Sequence, residues 1–373
     1  MLFKMDLLRP FRLRKKPFTG LLHIALTTIL VGACVTHFFG EQGEIHLRAD
    51  KAESLSAKHA PTVSLFLWDF QAVYDAGNNP VDYITELRLL DRSTKNKKEG
   101  LQVDEGTLRM NKPLKYHGWR FCQSDYDSDQ LGVVLSYNYD PWGTGITYTG
   151  YALLLIAMIA FFFQPRTRFR ATLHQLTADW SKKAVIGIFT ALGIFILVMA
   201  FVMTKAVTPK PPLQPVLQTP LLGIHVSVIM LAYTLFAIIA INGIVGLCSK
   251  RLSPFTFNLS TILLYPALFC LTAGIFIGAV WANMSWGRYW GWDPKETWAL
   301  ITMLVYAALI HFPWLKNLSA KRSDNAVTRQ AKPVLRQSGH AVYHILCIVA
   351  FFFVLFTYFG VSYFLGGLHS YSN

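Results

Sequence analysis

Charge is scarce in this chain, and negative charge is the scarcer sign. Only 15% of the 373 residues are charged, with 21 Asp or Glu against 35 Lys or Arg. Soluble domains average about 25% charged residues, so the deficit argues against an ordinary soluble enzyme. Outside residues 41–144 the acids dwindle to Asp6, Asp179, Asp293, Glu296 and Asp324. Cysteine is sparse too. Cys34, Cys122, Cys248, Cys270 and Cys347 form no C-x-x-C pair, which excludes a vicinal redox dithiol and a thiolate zinc knuckle of the usual spacing. Only Cys122 falls within 41–144, so that segment has no disulfide of its own.

Apolar residues are abundant instead, at 53% of the chain. A membrane-spanning helix needs about 20 of them in a row. Seven segments qualify: 18–39, 145–164, 184–206, 220–247, 260–282, 297–314 and 340–365. The first has no charge and no small-residue cleavage site after it, which argues against a cleaved leader. Basic residues cluster in FRLRKKP near the N-terminus, at Arg166, Arg168, Arg170, Lys182 and Lys183, at Lys250 and Arg251, and in 315–339. With seven spans all four clusters fall on one side, which the positive-inside rule makes cytoplasmic. The expectation is a multi-pass membrane protein with its N-terminus cytoplasmic and its C-terminus on the other side. Its basic excess is explained by topology and anionic membrane lipid, so no nucleic acid partner is expected.

Residues 41–144 hold 16 of the 21 acids and read as a β-rich exported segment. TVSLFLWDF, DYITELRLLD, GTLRM and GVVLSYNY have strand composition, some with alternation. Residues 77–80 and 91–100 read as turns. No catalytic constellation is visible there, and its loop histidines, His59 and His117, read as surface residues. The expected fold class is an all-α polytopic membrane protein of about seven transmembrane helices with a β-rich periplasmic domain. The divisions are a cytoplasmic N-terminus and first helix (1–40), the β-rich domain (41–144) and a six-helix membrane domain (145–373).

Four of the ten tryptophans crowd into WGRYWGWDPKETW at 286–298. An interfacial aromatic belt would account for one or two of them. The segment also carries a helix-start signal, with Asp293 as N-cap, Pro294 at the first position and Glu296 in the first turn. Ionisable groups in or beside spans are costly and are functional candidates by default. His23 and His311 lie near the cytoplasmic ends of their spans, and His225 and His369 at the outer edge, on either side of the tryptophan segment in sequence. His344 competes with His311, and His37 with His23. Paired imidazoles beside a broad aromatic wall suit heme, whose iron takes axial His and whose porphyrin needs apolar surface. Zinc would want a tetrahedral set, and none is assembled. The chain has no C-x-x-C-H to hold heme covalently itself.

WGRYWGWDPKETW closely resembles the WWD signature of the heme-handling cytochrome c assembly proteins, a group that includes CcmC, CcmF and CcsA (ResC). IHVSVIMLAY around His225, LIHF at His311 and GGLHSY around His369 resemble the histidine-bearing stretches of the System II member. GLLHIALTTILVGACVTHFFGEQGEIHL and NKPLKYHGWRFCQSDYD resemble the third span, the strand after it and part of the exported domain of its partner CcsB (ResB). The resemblance covers nearly all of 18–373 and is to the CcsBA type of fusion, the cytochrome c synthetases. One departure is Gly360-Val361-Ser362, where Gly-Val-Asn is often found.

The resemblance implies a lyase that moves heme b, its substrate, to the outer membrane face and joins it by thioethers to the C-x-x-C-H of apocytochrome c. It implies that the membrane is a bacterial cytoplasmic (inner) membrane and that the side holding the C-terminus is periplasmic. It implies an inner heme site at His23 and His311, and axial iron ligands at His225 and His369 outside. The tryptophan-rich stretch 281–298 would hold the porphyrin, through Trp281, Trp286, Gly287, Trp290, Trp292, Asp293, Pro294, Glu296 and Trp298. His225, His369 and Asp293 are the catalytic candidates, although Asp293 and Glu296 better suit orienting the segment than acting as a base. A thiol-reducing protein and a separate CcsB-type subunit are further expected partners. Two rivals make other forecasts. An electron-transfer cytochrome b would cycle with quinol, and a heme exporter or chaperone would bind heme without forming thioethers.

Overall fold

The computed structural model describes residues 17–49, 51–55, 63–91, 102–178, 215–321 and 327–365, with positions 187, 190 and 194. Helix α1 (Pro17–Phe39) leads into eight strands: β1 (Glu41–Arg48), β2 (Ala52–Ser54), β3 (Val63–Tyr74), β4 (Pro80–Asp91), β5 (Gln102–Arg109), β6 (Leu114–Tyr116), β7 (Trp119–Tyr126) and β8 (Gly132–Tyr139). Helices α2 (Gly143–Phe163) and α3 (Arg168–Thr177) follow. After a 3₁₀ turn at Pro215–Leu217 come α4 (Pro220–Cys248), α5 (Ser253–Ser285), α6 (Pro294–Lys321) and α7 (Val327–Leu355), then a π turn at Phe356–Gly360 and a last short helix, α8 (Val361–Phe364).

The strands form two antiparallel four-stranded sheets, ordered β1-β8-β7-β6 and β2-β3-β4-β5. Alternation along each strand sends Leu47, Phe121, Val133 and Leu135 of the first sheet against Leu65, Leu67, Leu87, Leu89 and Leu108 of the second, all at 2% exposure or less. Full burial of each such side chain contributes about 1.5–3 kcal/mol. A bulge after Leu67 turns Trp68 outward, where the Arg88 guanidinium stacks on its ring at 3.4 Å. The four strand-like stretches read from the sequence are β3, β4, β5 and β8. Residues 77–79 form the expected turn, whereas 92–100 lie outside the described residues.

Among the described residues, five helices are long and apolar enough to cross a membrane: Pro17–Phe39, Gly143–Thr177, Pro220–Cys248, Ser253–Ser285 and Gly339–Phe364. The chain is thus a polytopic membrane protein with a β domain. Of the expected span 184–206 only positions 187, 190 and 194 are described, each helical. The expected span 297–314 falls within α6, a helix packed into the bundle through Tyr306 and Leu309 but not among those five.

Helices α1 and α2 pack closely because Gly32 faces Thr147 and Gly150 faces Ile29, leaving no room for a Cβ at either glycine. At one end of the pair the Gln164 carboxamide accepts from Phe18 N and Thr19 N, at 2.8 and 3.2 Å. These are backbone donors at the start of α1 that its own helix cannot satisfy. At the other end Asp140 accepts from Gly143 N (2.8 Å), Thr144 Oγ1 (2.7 Å) and Thr36 Oγ1 (2.7 Å). Thr36 in turn accepts from the Tyr289 hydroxyl at 2.7 Å. The β domain and the tryptophan segment therefore share one end of the helix bundle.

Candidate functional site

The tryptophan segment is built around a reciprocal cap. Asp293 Oδ1 accepts from Lys295 N at 2.9 Å, and Glu296 Oε2 reaches back to Asp293 N at 3.3 Å and Gly291 N at 2.8 Å. This is the capping box that the order Asp-Pro-Lys-Glu encodes, and Asp293 is buried in making it. The two donors bound by Glu296 flank Trp292, whose φ of +55° lies in the left-handed region and whose side chain is 71% exposed. A non-glycine residue held there costs about 1–3 kcal/mol and persists only when its surroundings enforce it. Glu296 is that enforcement, and Trp292 is its product, a large indole turned out of the fold.

The other tryptophans point elsewhere. Trp281, buried near the end of α5, meets Trp286 edge-on at 4.8 Å and packs with Val216. Trp290 joins the bundle core and meets Trp292 at 5.9 Å. Trp298 lies on α6 against Phe356 of the π turn at 4.3 Å. The segment thus presents pairs of indoles rather than one continuous wall.

His225 projects from α4 toward α5, where its Nδ1 lies 2.7 Å from the Gly274 carbonyl oxygen. A carbonyl only accepts, so Nδ1 carries the proton and Nε2 carries the lone pair that a metal requires. Gly278 provides the space, since a Cβ there would come within 2.6 Å of the Nδ1 atom. His23 repeats the arrangement on α1, with Nδ1 2.7 Å from Thr19 O. His311 of α6 lies within electrostatic range of His23 and Arg168, so the first and sixth expected spans bring their histidines to one neighbourhood. His344 sits apart, fully buried, with Nε2 3.2 Å from Thr256 Oγ1. His37 packs edge-on against Phe38 at the far end of α1. His369 and His59 lie outside the described residues. His117 occupies an exposed turn at φ +41°.

The residues that bind the β domain to the segment were not singled out from the sequence. Cys122 of β7 is buried, and a Cβ on Gly287 (φ +74°) would come 3.2 Å from its Sγ. Burial pushes the Cys122 thiol up to about 12, with Arg120 opposing weakly, so it is no nucleophile at neutral pH. Arg120 donates to Asn283 Oδ1 on α5 at 2.7 Å and to Thr144 Oγ1 on α2 at 2.9 Å. Asn111 accepts from Ser285 Oγ at 2.5 Å. Only contacts between residues far apart in the chain give these side chains their meaning, so no local motif marks them. His46, on β1 and likewise not singled out, pairs with Asp127 at 3.0 Å on the surface.

Comparison with known proteins accounts for both parts of the chain. Residues 150–327 match the family described as cytochrome C assembly protein, and residues 19–141 match the ResB-like family. Protein NrfI of Wolinella succinogenes is 36% identical over 173 residues, covering 43% of this chain and 17% of that protein. The cytochrome c biogenesis protein CcsA of Chlamydomonas reinhardtii is 35% identical over 185 residues, 46% of each chain. The chain therefore spans less than two thirds of these two relatives. It covers 71% of CcsA from Prochlorococcus marinus, at 32% identity over 243 residues. The chain belongs to the cytochrome c assembly protein family, as a CcsBA-type fusion of a ResB-like N-terminal part with a CcsA-like remainder.

Proposed function

We propose that this chain is a cytochrome c synthetase that carries heme to the outer face of a bacterial cytoplasmic membrane and joins it covalently to apocytochrome c. The observation that carries this reading is the tethered imidazole of His225, at the α4–α5 contact near the tryptophan segment. Its Nδ1–H is held by Gly274 O, so Nε2 is oriented as a ligand nitrogen. The same tether at His23, with His311 nearby, supports an inner heme site. In this reading the divisions are 1–40, 41–144 and 145–373, the N-terminus is cytoplasmic, and the β domain, residues 281–298 and the C-terminus are periplasmic. His369 supplies the second outer ligand.

The chemistry needs little from the protein beyond placement. Each client thiol adds across a heme vinyl group, sulfur bonding to the carbon next to the ring and hydrogen passing to the terminal carbon. Nothing is oxidised or reduced overall. Holding thiol and vinyl in register supplies most of the acceleration, since effective molarities for aligned groups reach about 10⁵–10⁸ M. Trp292 offers the porphyrin an exposed aromatic face, and Glu296 and Asp293 hold that face in position rather than moving protons. The client histidine then replaces one enzyme imidazole on iron, and the product leaves.

The test is expression of this chain alone with a C-x-x-C-H apocytochrome in a bacterium lacking its own maturation system. Client heme that survives a denaturing gel and gives a thioether-type pyridine spectrum supports the reading. Heme on the membrane protein but none on the client, even after a full CcsB is supplied, overturns it in favour of a carrier.

A further inference from the structure

The β domain and the tryptophan segment do not close on each other everywhere. Between them lies a cleft of about 640 Å³, within the range of about 300–1,000 Å³ typical of ligand pockets. Strand alternation identifies its floor. Ile45, Leu135 and Tyr137 face the sandwich core, so Glu44 and Ser136 and their neighbours Gln42 and Asn138 lie on the opposite face. Trp286 and Arg288 form one wall, and Tyr126, Tyr83 and Asp125 the other. At its edge the β7–β8 ladder is interrupted. Gln123 pairs with Leu135 and Asp125 with Val134, so Ser124 between them has no partner in β8. Such bulges occur beside sites, where they redirect backbone and side chain.

We propose that this cleft seats an extended stretch of the client polypeptide and holds its thiol-bearing motif against the tryptophan segment. The proposal rests on the synthetase reading and adds where the client sits. The lining favours polypeptide over porphyrin. Amide and hydroxyl groups of Gln42, Ser124, Ser136 and Asn138 can bond a peptide backbone, whereas a porphyrin face wants apolar surface. Glu44 and Asp125 outweigh Arg288 among the charged lining residues, and this net negative balance disfavours two heme propionates and suits a peptide that is neutral or basic. Among the described residues no histidine lines the cleft to take iron. Its position is also right, because one occupant touches the exported sheet and Trp286 at once.

The experiment uses the full chain in membranes with unfolded apocytochrome c. A photoreactive benzoylphenylalanine is placed at Ser124, or at the exposed Trp68 on the other sheet as control. In parallel Ser124→Trp, a change at an exposed position, fills the cleft, and Leu131→Trp on the distant β7–β8 turn is its control. The expected result is crosslinking to the client from position 124 only. With it, Ser124→Trp should lower client heme roughly tenfold while heme on the membrane protein stays unchanged. Equal crosslinking from 68 and 124, or normal client heme in Ser124→Trp, overturns the proposal. So does loss of heme from the membrane protein itself, which would make the cleft a porphyrin seat. Client crosslinking from position 124, together with a wild-type chain that never transfers heme, would sink the synthetase reading and leave the client cleft standing.

Discussion

At the scale of single residues, the tether on His225 fixes which nitrogen would meet iron in the proposed outer site. Removing the ring would remove that proposed ligand but leave a gap the size of an imidazole beside Gly278, so the loss is chemically repairable. His225→Ala should lower the heme recovered with the protein, or its reduced-state spectrum, and cut client heme roughly tenfold or more, with added imidazole restoring part of both. Normal maturation in this variant sinks the ligand assignment. Trp292 makes a second residue-scale claim. Its left-handed backbone is held by the Glu296 carboxylate through the N–H groups on either side of it. Glu296→Ala should therefore cost about 1 kcal/mol of cap and impair heme attachment as Trp292→Ala does. Glu296→Gln, whose amide oxygen still accepts, should retain much of the yield. Trp68→Ala is the comparison, and equal losses from Trp68→Ala and Trp292→Ala would reduce the segment to an ordinary interfacial belt.

At the scale of elements, the helices decide which histidines can act together. α1 and α6 bring His23 and His311 near each other, whereas α7 buries His344 against Thr256 and Ser253 of α5. His311→Ala should remove the inner heme signal. His344→Ala should leave that signal and lower the thermal midpoint of the purified protein, because it empties a packed position. The reverse order would reassign the inner site. The same elements show what the sequence could disclose. The apolar runs, the alternation in GVVLSYNY and the Asp-Pro-Lys-Glu cap are local patterns, and among the described residues five of the seven runs became span-length apolar helices, GVVLSYNY became β8 and the cap became the start of α6. β7 escaped a reading from strand composition because WRFCQSDY turns polar after Cys122 and is broken by the bulge at Ser124. The roles of Asp140, Arg120 and Asn283 depend on partners about a hundred or more residues away, and nothing local encodes those. The four histidines were named from depth and resemblance. Only the structure shows which ring nitrogen His23 and His225 commit to the backbone.

At the scale of the whole molecule, the question is how firmly the β domain is held on the tryptophan segment. The described junction joins strands to helices through few side chains, and Arg120 is central to it, linking β7 to Asn283 of α5 and Thr144 of α2. Its guanidinium is a charged donor with neutral acceptors, so losing it leaves the buried Asn283 carboxamide short of a partner and costs about 1–3 kcal/mol at the junction. Cys122 reports on that junction without any engineering, because its thiol is covered where Gly287 passes over it. In the intact protein a maleimide should label Cys248, exposed at the end of α4, long before Cys122. Arg120→Ala should raise the Cys122 rate roughly tenfold, read by peptide mass spectrometry. The pH dependence has a definite sign. Burial raises this thiol from an ordinary value of 9.0 to about 12, so the junction is favoured fully below pH 9 and progressively less as pH rises from 9 toward 12. Cys122 labelling in the intact protein should therefore climb steeply across that interval, while in Arg120→Ala it should already be fast near pH 9. If the two proteins label Cys122 alike at every pH, Arg120 does not hold the β domain on the tryptophan segment, and the cleft between them must be shaped by the Asp140–Thr36–Tyr289 contacts instead.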